Sequence, residues 1–302
     1  ITCSLSACCV IVLSAVINKR SNLSPVQLKS QRAEVELFQT SQYNETSEFD
    51  YFRTLVKACG KLCELDEGIF SASLFFDHRL VPVDCEIIFG DDVFIQQGHG
   101  RAEAPSIIPA ELIEAYTMNQ RVPITNIYSD EVYLSKQAQT SVWSTQLVEE
   151  SISTAASGRL KGNYGIKETN HLRQALRHAP GLAGGRVLVI GSENPWVEAC
   201  VLEAGASSVV TLEYGEIRSE HPKIKTLIPL EFQQDFFNGQ LGLFDSIVTF
   251  SSVEHSGLGR YGDALNPWGD VLEIARANCV SKPGGSLVLA VMCGNDLCTR
   301  DS

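Results

Sequence analysis

The chain has 302 residues, of which 44% are hydrophobic, enough for a sizeable core in two domains or in one large α/β domain with an extension. Its 24 Lys and Arg against 36 Asp and Glu give a formal net charge of -12, and no local basic patch interrupts the acidic surplus, which excludes nonspecific attachment to nucleic acid. The ten Cys are scattered without a Cys-x-x-Cys pair; Cys59 and Cys63 are spaced to share a helix face, but packed free thiols are expected rather than a metal site or a disulfide.

In chain order, residues 1–17 carry no charge before Asn18-Lys19-Arg20. As a helix they span about 26 Å, a little short of the roughly 30 Å hydrocarbon core. The expectation is an apolar helix acting as a single-pass membrane anchor of undetermined sidedness, with a cleaved signal peptide and a secreted or luminal protein as the alternative. Sequons at Asn22 and Asn44 suit the luminal side. Residues 18–48 are polar and read as a linker. Residues 49–160 form a smaller α+β region of mixed pattern: helices at 51–65 and 110–118, apolar runs at 71–76, 85–89 and 93–96, and a helix at 137–156. No chemical motif occurs there. Asp91-Asp92 and Gly98-His99-Gly100-Arg101 read as solvated loops, and no metal site is expected.

The domain expected over 161–302 opens with a basic amphipathic helix at 167–178 and then a strand, turn, helix and strand. Residues 187–190 are a purely apolar run, as in a central parallel strand covered on both faces. The run stops at Gly191, Asn194 and Pro195 favour a helix over 195–204 with Val197, Val201 and Leu202 on the sheet, and residues 209–212 form the next strand. Glu213 follows, about 20 residues beyond the turn, where Rossmann-like sites place an acid for ribose hydroxyls. Further strands are expected at 225–228, 244–250 and 286–292, a helix begins at Asn266-Pro267 and ends near Val280, and 282–285 is a tight turn. The loop after the fourth strand, Ser251-Ser252-Val253-Glu254-His255, emerges where ligands bind in such sheets. The glycines that follow, Gly257, Gly259 and Gly262, suit either a bending lid or a rigid Ω-loop. Trp196 and Trp268 are read as core or helix-start anchors.

VIGSENPWVEA, TLEYG, FSSVEHSGLGRYGDALNPWGD and KPGG together resemble a nematode-type family that is known only as a domain of unknown function and is similar to methyltransferases. The wider order of elements resembles the class I S-adenosylmethionine-dependent methyltransferase fold, a doubly wound Rossmann-like α/β sheet. The resemblance covers roughly residues 162–292. It implies S-adenosylmethionine as cofactor, with Gly191 at the donor turn, Glu213 on the ribose, Asp235 near the adenine, and Glu193 and Ser251 also at the donor. Glu254 and His255 match the pair after the fourth strand, with His255 as base and Glu254 as its orienting partner. Two positions depart from the pattern: Val189 replaces the usual strand acid, and the turn Gly191-Ser192-Glu193-Asn194-Pro195 has one glycine, which limits close backbone approach.

The expected function is methyl transfer to a small-molecule or glycan acceptor, with a noncatalytic descendant of the fold as the competing reading and a nicotinamide dehydrogenase weakened by the absence of GxGxxG. Residues 293–302 are too polar to supply the two further strands such a sheet carries. The sheet is therefore expected to lack its last strands and to leave 286–292 as an open edge. A shortened chain is favoured over a strand folding back from residues 71–96.

Overall fold

The computed structural model describes residues 8–14, 84–90, 107–117, 120, 123–124, 140–260, 263 and 265–292. The expected helix at 51–65, the runs at 71–76 and 93–96, both sequons and Cys59 and Cys63 lie outside these residues.

The strands are β1 (Cys8–Ser14), β2 (Ser141–Trp143), β3 (Arg186–Ile190), β4 (Ser208–Leu212), β5 (Ile217–Ser219), β6 (Ile224–Leu227), β7 (Phe244–Phe250) and β8 (Ser281–Met292). Six of them make one sheet in the order β1-β8-β7-β3-β4-β6, and β2 pairs with β5 in a separate ribbon. From β8 to β6 all pairings are parallel. Val187, Leu188 and Val189 of β3 are at most 1% exposed, as a strand covered on both faces requires. The chain runs outward from β3 through β4 to β6, then returns to the other side of β3 with β7 and β8, so the order reverses between β3 and β7.

The helices are α1 (Cys85–Phe89), α2 (Ala110–Tyr116), α3 (Thr145–Ala156), α4 (Ile166–His178), α5 (Trp196–Glu203), α6 (Pro229–Phe237) and α7 (Gly269–Val280). One face of the sheet is covered by Val148 and Ala155 of α3, Leu172 and Leu176 of α4, and Val197 and Val201 of α5. Leu202 packs against this core from the side. The other face is covered by Phe89 of α1, Phe232 of α6, and Ala277 and Val280 of α7. This is an α/β architecture consistent with a Rossmann-like fold. Elements on both sides of residue 160 share one core: α3 packs with α5, while Arg173 and Arg177 of α4 meet Glu203 of α5 at 2.9 and 2.7 Å.

Several expectations are corrected. The apolar helix expected over 1–17 is, over Cys8–Ser14, a strand antiparallel to β8, with Cys8 opposite Met292 and Ser14 opposite Ser286. The edge of β8 is therefore paired rather than open, and its partner comes from the start of the chain rather than from 71–96. The physical reason is that CCVIVLS contains three β-branched residues in a row, Val10, Ile11 and Val12, and β8 offers it a row of backbone donors and acceptors that must be satisfied. Among the described residues no helix is long and apolar enough to cross a membrane. The helix expected at 137–156 begins only at Thr145, because Ser144 caps it by accepting the Leu147 N–H at 3.1 Å, and Ser141–Trp143 before the cap joins β5. The run at 85–89 is a helix capped by Asp84, which accepts from Glu86 and Ile87. The helix α5 starts one residue later than expected, with Pro195 at the cap position.

The turn at 282–285 bulges out of β8, with Phe244 opposite Ser281 but Ser246 opposite Ser286, and Gly284 at φ 79° makes the bend. Lys282 Nζ reaches Asp245 at 2.7 Å beside it.

Cys85 and Cys279 form a disulfide between α1 and α7, which corrects the free-thiol reading for this pair; Cys200 is free and buried. Phe89 of α1 also stacks on Phe236 at 4.0 Å and its carbonyl accepts from Gln233 of α6. The bridge spans 194 residues of sequence, and the loop-closure entropy for such a span is about 5 kcal/mol. Reductant should therefore lower the thermal midpoint of the protein by several degrees, and a Cys85→Ser/Cys279→Ser variant should start from a lower midpoint and respond less to reductant than wild type. A wild-type midpoint indifferent to reduction would contradict the staple.

Candidate functional site

The site lies at the carboxyl ends of β3, β4 and β7, at the reversal of strand order, where helix N-termini and loops leave a crevice. Gly191 ends β3 at φ 73°, a conformation only glycine adopts without cost, and donates its N–H to Leu212 O at 2.9 Å. The next residue is held by two carboxyls. The Ser192 N–H donates to Glu213 Oε2 at 2.7 Å, and Tyr214 N–H donates to Glu213 Oε1 at 2.7 Å. Burial raises the Glu213 carboxyl above its ordinary range against the pull of these backbone donors, and Glu193 adds to the rise.

Behind the turn sits Glu198 of α5, fully buried. Its Oε1 accepts from Thr211 Oγ1 at 2.8 Å, and its Oε2 lies 2.9 Å from Ser192 Oγ. Ser192 Oγ also lies 2.8 Å from Asn194 O. A hydroxyl has one proton to give, so both Ser192 contacts are satisfied when Glu198 is protonated and donates to Ser192, which donates to Asn194. Burial moves the Glu198 carboxyl from an ordinary 4.5 to about 7, in keeping with that arrangement.

The crevice that Gly191 lines is small, about 20 Å³, and is bounded by Glu213, Tyr214, Ser252, Ser256 and Glu273. Ser252 fills the space at the glycine: a Cβ on Gly191 would lie 1.8 Å from Ser252 Oγ. Tyr214 hydrogen-bonds Ser256, and burial, with Glu273 and Asp263 nearby, raises its phenol well above the ordinary value. Glu273 is buried and pairs with Arg276 Nη1 at 2.6 Å, and burial raises its carboxyl too.

The structure places Gly191 and Glu213 on the same crevice. Glu193 is exposed next to them, and its carbonyl accepts from the Trp143 indole at 3.3 Å. Ser251 follows β7 with φ 47°, its N–H on Ala290 O. Glu254 and His255 lie in the short turn Val253–His255, and neither lines the crevice with Gly191, where Ser252 and Ser256 stand instead. Asp235 is six residues into α6, pairs with Lys225 at 2.8 Å and lines neither this crevice nor its neighbour. The acid nearer the site on that helix is Glu231, which accepts the Ile228 N–H at 3.1 Å and, with Glu213, lines an open cavity of about 690 Å³ beside β5 and β6. Trp196 is a core residue, edge-on to Phe250 at 4.9 Å, whereas Trp268 is 63% exposed at the start of α7.

Sequence reasoning missed Glu198 and Glu273, and it named Tyr214 and Ser252 only as members of TLEYG and of the loop after β7, without a role for either. Glu198 carried a signal: an acid within WVEACVLE, flanked on both sides by residues that turn out to be buried. Glu273 carried none, since only the fold brings α7 over the end of β4.

Residues 184–301 match the model of a family described as Caenorhabditis protein of unknown function, DUF268. This agrees with the nematode-type resemblance over that part of the chain. No curated protein and no solved structure matches the chain.

The Glu198 geometry sets a pH dependence. Its folded value of about 7 exceeds the unfolded 4.5, so between these values the folded state keeps a proton that the unfolded state loses. Its stability contribution is fully present below 4.5 and falls as pH rises to 7, by on the order of 3 kcal/mol. Denaturant unfolding of Glu198→Gln across pH 4.5 to 7 should show a flatter profile than wild type, with the residual slope coming from Glu213 and Glu273. Identical slopes would remove Glu198 from the account.

Proposed function

We propose that the domain is a class I methyltransferase-like module that binds S-adenosylmethionine and transfers its methyl group to a small-molecule or glycan acceptor. The observation that carries this reading is the Glu213 carboxylate. Its oxygens accept backbone N–H groups from Ser192, Tyr214 and Gly215, which fixes the group and leaves lone-pair capacity for a ribose hydroxyl. The charge of the surroundings also favours this donor over a dinucleotide. Glu213 and the Arg276-paired Glu273 line the crevice, Glu193 acts on Glu213 from beside it, and no basic side chain lines the crevice among the described residues, an environment that suits a sulfonium cation better than a pyrophosphate.

The donor supplies an electrophilic methyl; the chain supplies alignment, exclusion of water and removal of the acceptor's proton. In this reading Gly191 and Ser192 face the donor through their backbone, Glu213 holds the ribose, and Ser251 and Glu193 stand at the edges of the site. His255 takes the acceptor's proton, oriented by Glu254, once the turn that carries both is displaced toward the crevice. The Cys85–Cys279 disulfide supports an oxidising compartment, hence a secreted or luminal setting. A noncatalytic module is the second reading, favoured by Ser252 standing where a donor would approach Gly191.

Calorimetric titration with S-adenosylmethionine and, in parallel, NAD tests the proposal. Micromolar binding of the first alone is expected. Glu213→Ala would strip the acceptor from three amides, so Glu213→Gln is the cleaner variant; it should weaken donor binding about tenfold or more through loss of charge-assisted bonds. Silence from S-adenosylmethionine with both wild type and Ser252→Gly, in which the crevice is relieved, would favour the noncatalytic module.

A further inference from the structure

The geometry points to residues 252–256 being a gate over the Gly191 crevice that is latched from outside by Tyr116 of α2. The inference rests on the donor-site reading for what the gate admits, but the gate itself is a property of the free chain. Four observations meet here. The first is occlusion: Ser252 packs against the bare Cα of Gly191, and the remaining space, about 20 Å³, is far below the roughly 300 Å³ at which small-molecule sites begin.

The second is strain at the entrance. Ser251 is a non-glycine residue at φ 47°, immediately before the turn. The third is a set of buried polar atoms that the closed form leaves without partners: Thr249 Oγ1, Ser251 Oγ and both Glu254 carboxylate oxygens. Buried acceptors without donors are costly, and displacement of the turn would return those of Ser251 and Glu254 to water or to a ligand. Both features disfavour the closed form, so something must hold it.

The fourth observation identifies the hold. At the far end of the turn the Gly257 carbonyl accepts from the Tyr116 hydroxyl, across 141 residues of sequence, and from Asn266 N–H at 2.9 Å. The Gly257 N–H donates to Asp263 Oδ2 at 2.7 Å. Gly257 at φ 82° and Gly259 at φ 76° give the backbone its bend, and a Cβ at Gly257 would lie 2.0 Å from Asn266 O. Tyr116 is 5% exposed, so its bond is shielded from competing water. Asp263 and Asn266 belong to the same loop as the turn. Tyr116 belongs to a helix far upstream that does not line the crevice, so a movement of α2 acts on the gate from outside it.

The test is amide hydrogen exchange on the full chain, which needs no donor. Tyr116→Phe removes the latch hydroxyl and should speed exchange of the Ser256, Gly257 and Leu258 amides about fivefold, leaving β3 and β7 amides unchanged. Ser251→Gly relieves the positive φ and should act in the opposite direction, slowing the same three amides. If Tyr116→Phe loosens the whole protein, β3 and β7 amides will move too, and the Ser251→Gly result decides alone. Unchanged exchange at 256–258 in Ser251→Gly, or in a globally intact Tyr116→Phe, overturns the gate. Titration with S-adenosylmethionine separates the two ideas. A gate response without donor binding leaves the gate standing and removes the donor reading, whereas micromolar binding with no gate response does the reverse; with both correct, Tyr116→Phe binds the donor about fivefold more tightly.

Discussion

The Ser192 amide on the Glu213 carboxylate is the contact on which the carboxyl-edge site depends. It ties the end of β3 to the end of β4 at the level where a ligand would sit, and it does so in the interior, where an amide left without an acceptor is costly. Glu198 reinforces it from behind through the Ser192 hydroxyl, so one small residue is held by its backbone from the front and by its side chain from the rear. A turn with a single glycine can keep its shape this way. The conformational freedom that further glycines would give is replaced here by hydrogen bonds to two buried acids.

That arrangement explains why the central unit could be read from sequence and its chemistry only in part. The strands β3, β4 and β7 announce themselves as short apolar runs, and Glu213 follows from its distance past the turn, because local pattern and burial agree there. The strand β1 did not, because seventeen uncharged residues satisfy a helix and a strand equally until β8 supplies a row of backbone partners. The same limit applies to β2, whose three residues mean nothing without β5, and to the Cys85–Cys279 bridge, whose halves are 194 residues apart. At the site, Glu254 and His255 were drawn from a motif, but a 3-10 turn presents consecutive residues in different directions, and it is Ser252 and Ser256 that face Gly191.

Upstream segments contribute more to the site than their lack of motifs suggests. The helix α3 packs behind α5, which carries Glu198; α1 is stapled to α7, which carries Glu273; and α2 touches the loop after β7. These described helices therefore act on the crevice by packing on the elements that carry its residues.

The antiparallel pairing of β1 with β8 has a consequence for biosynthesis. The residues that finish the sheet are made at the two extremes of the described chain, with Ser14 opposite Ser286. At ribosomal speeds, β1 waits on the order of tens of seconds for the strand it will pair with. During that interval an apolar strand has no native partner, and the Cys85 thiol has no Cys279 to meet. The order in which this fold is written thus leaves an apolar strand and a thiol exposed until their partners are made.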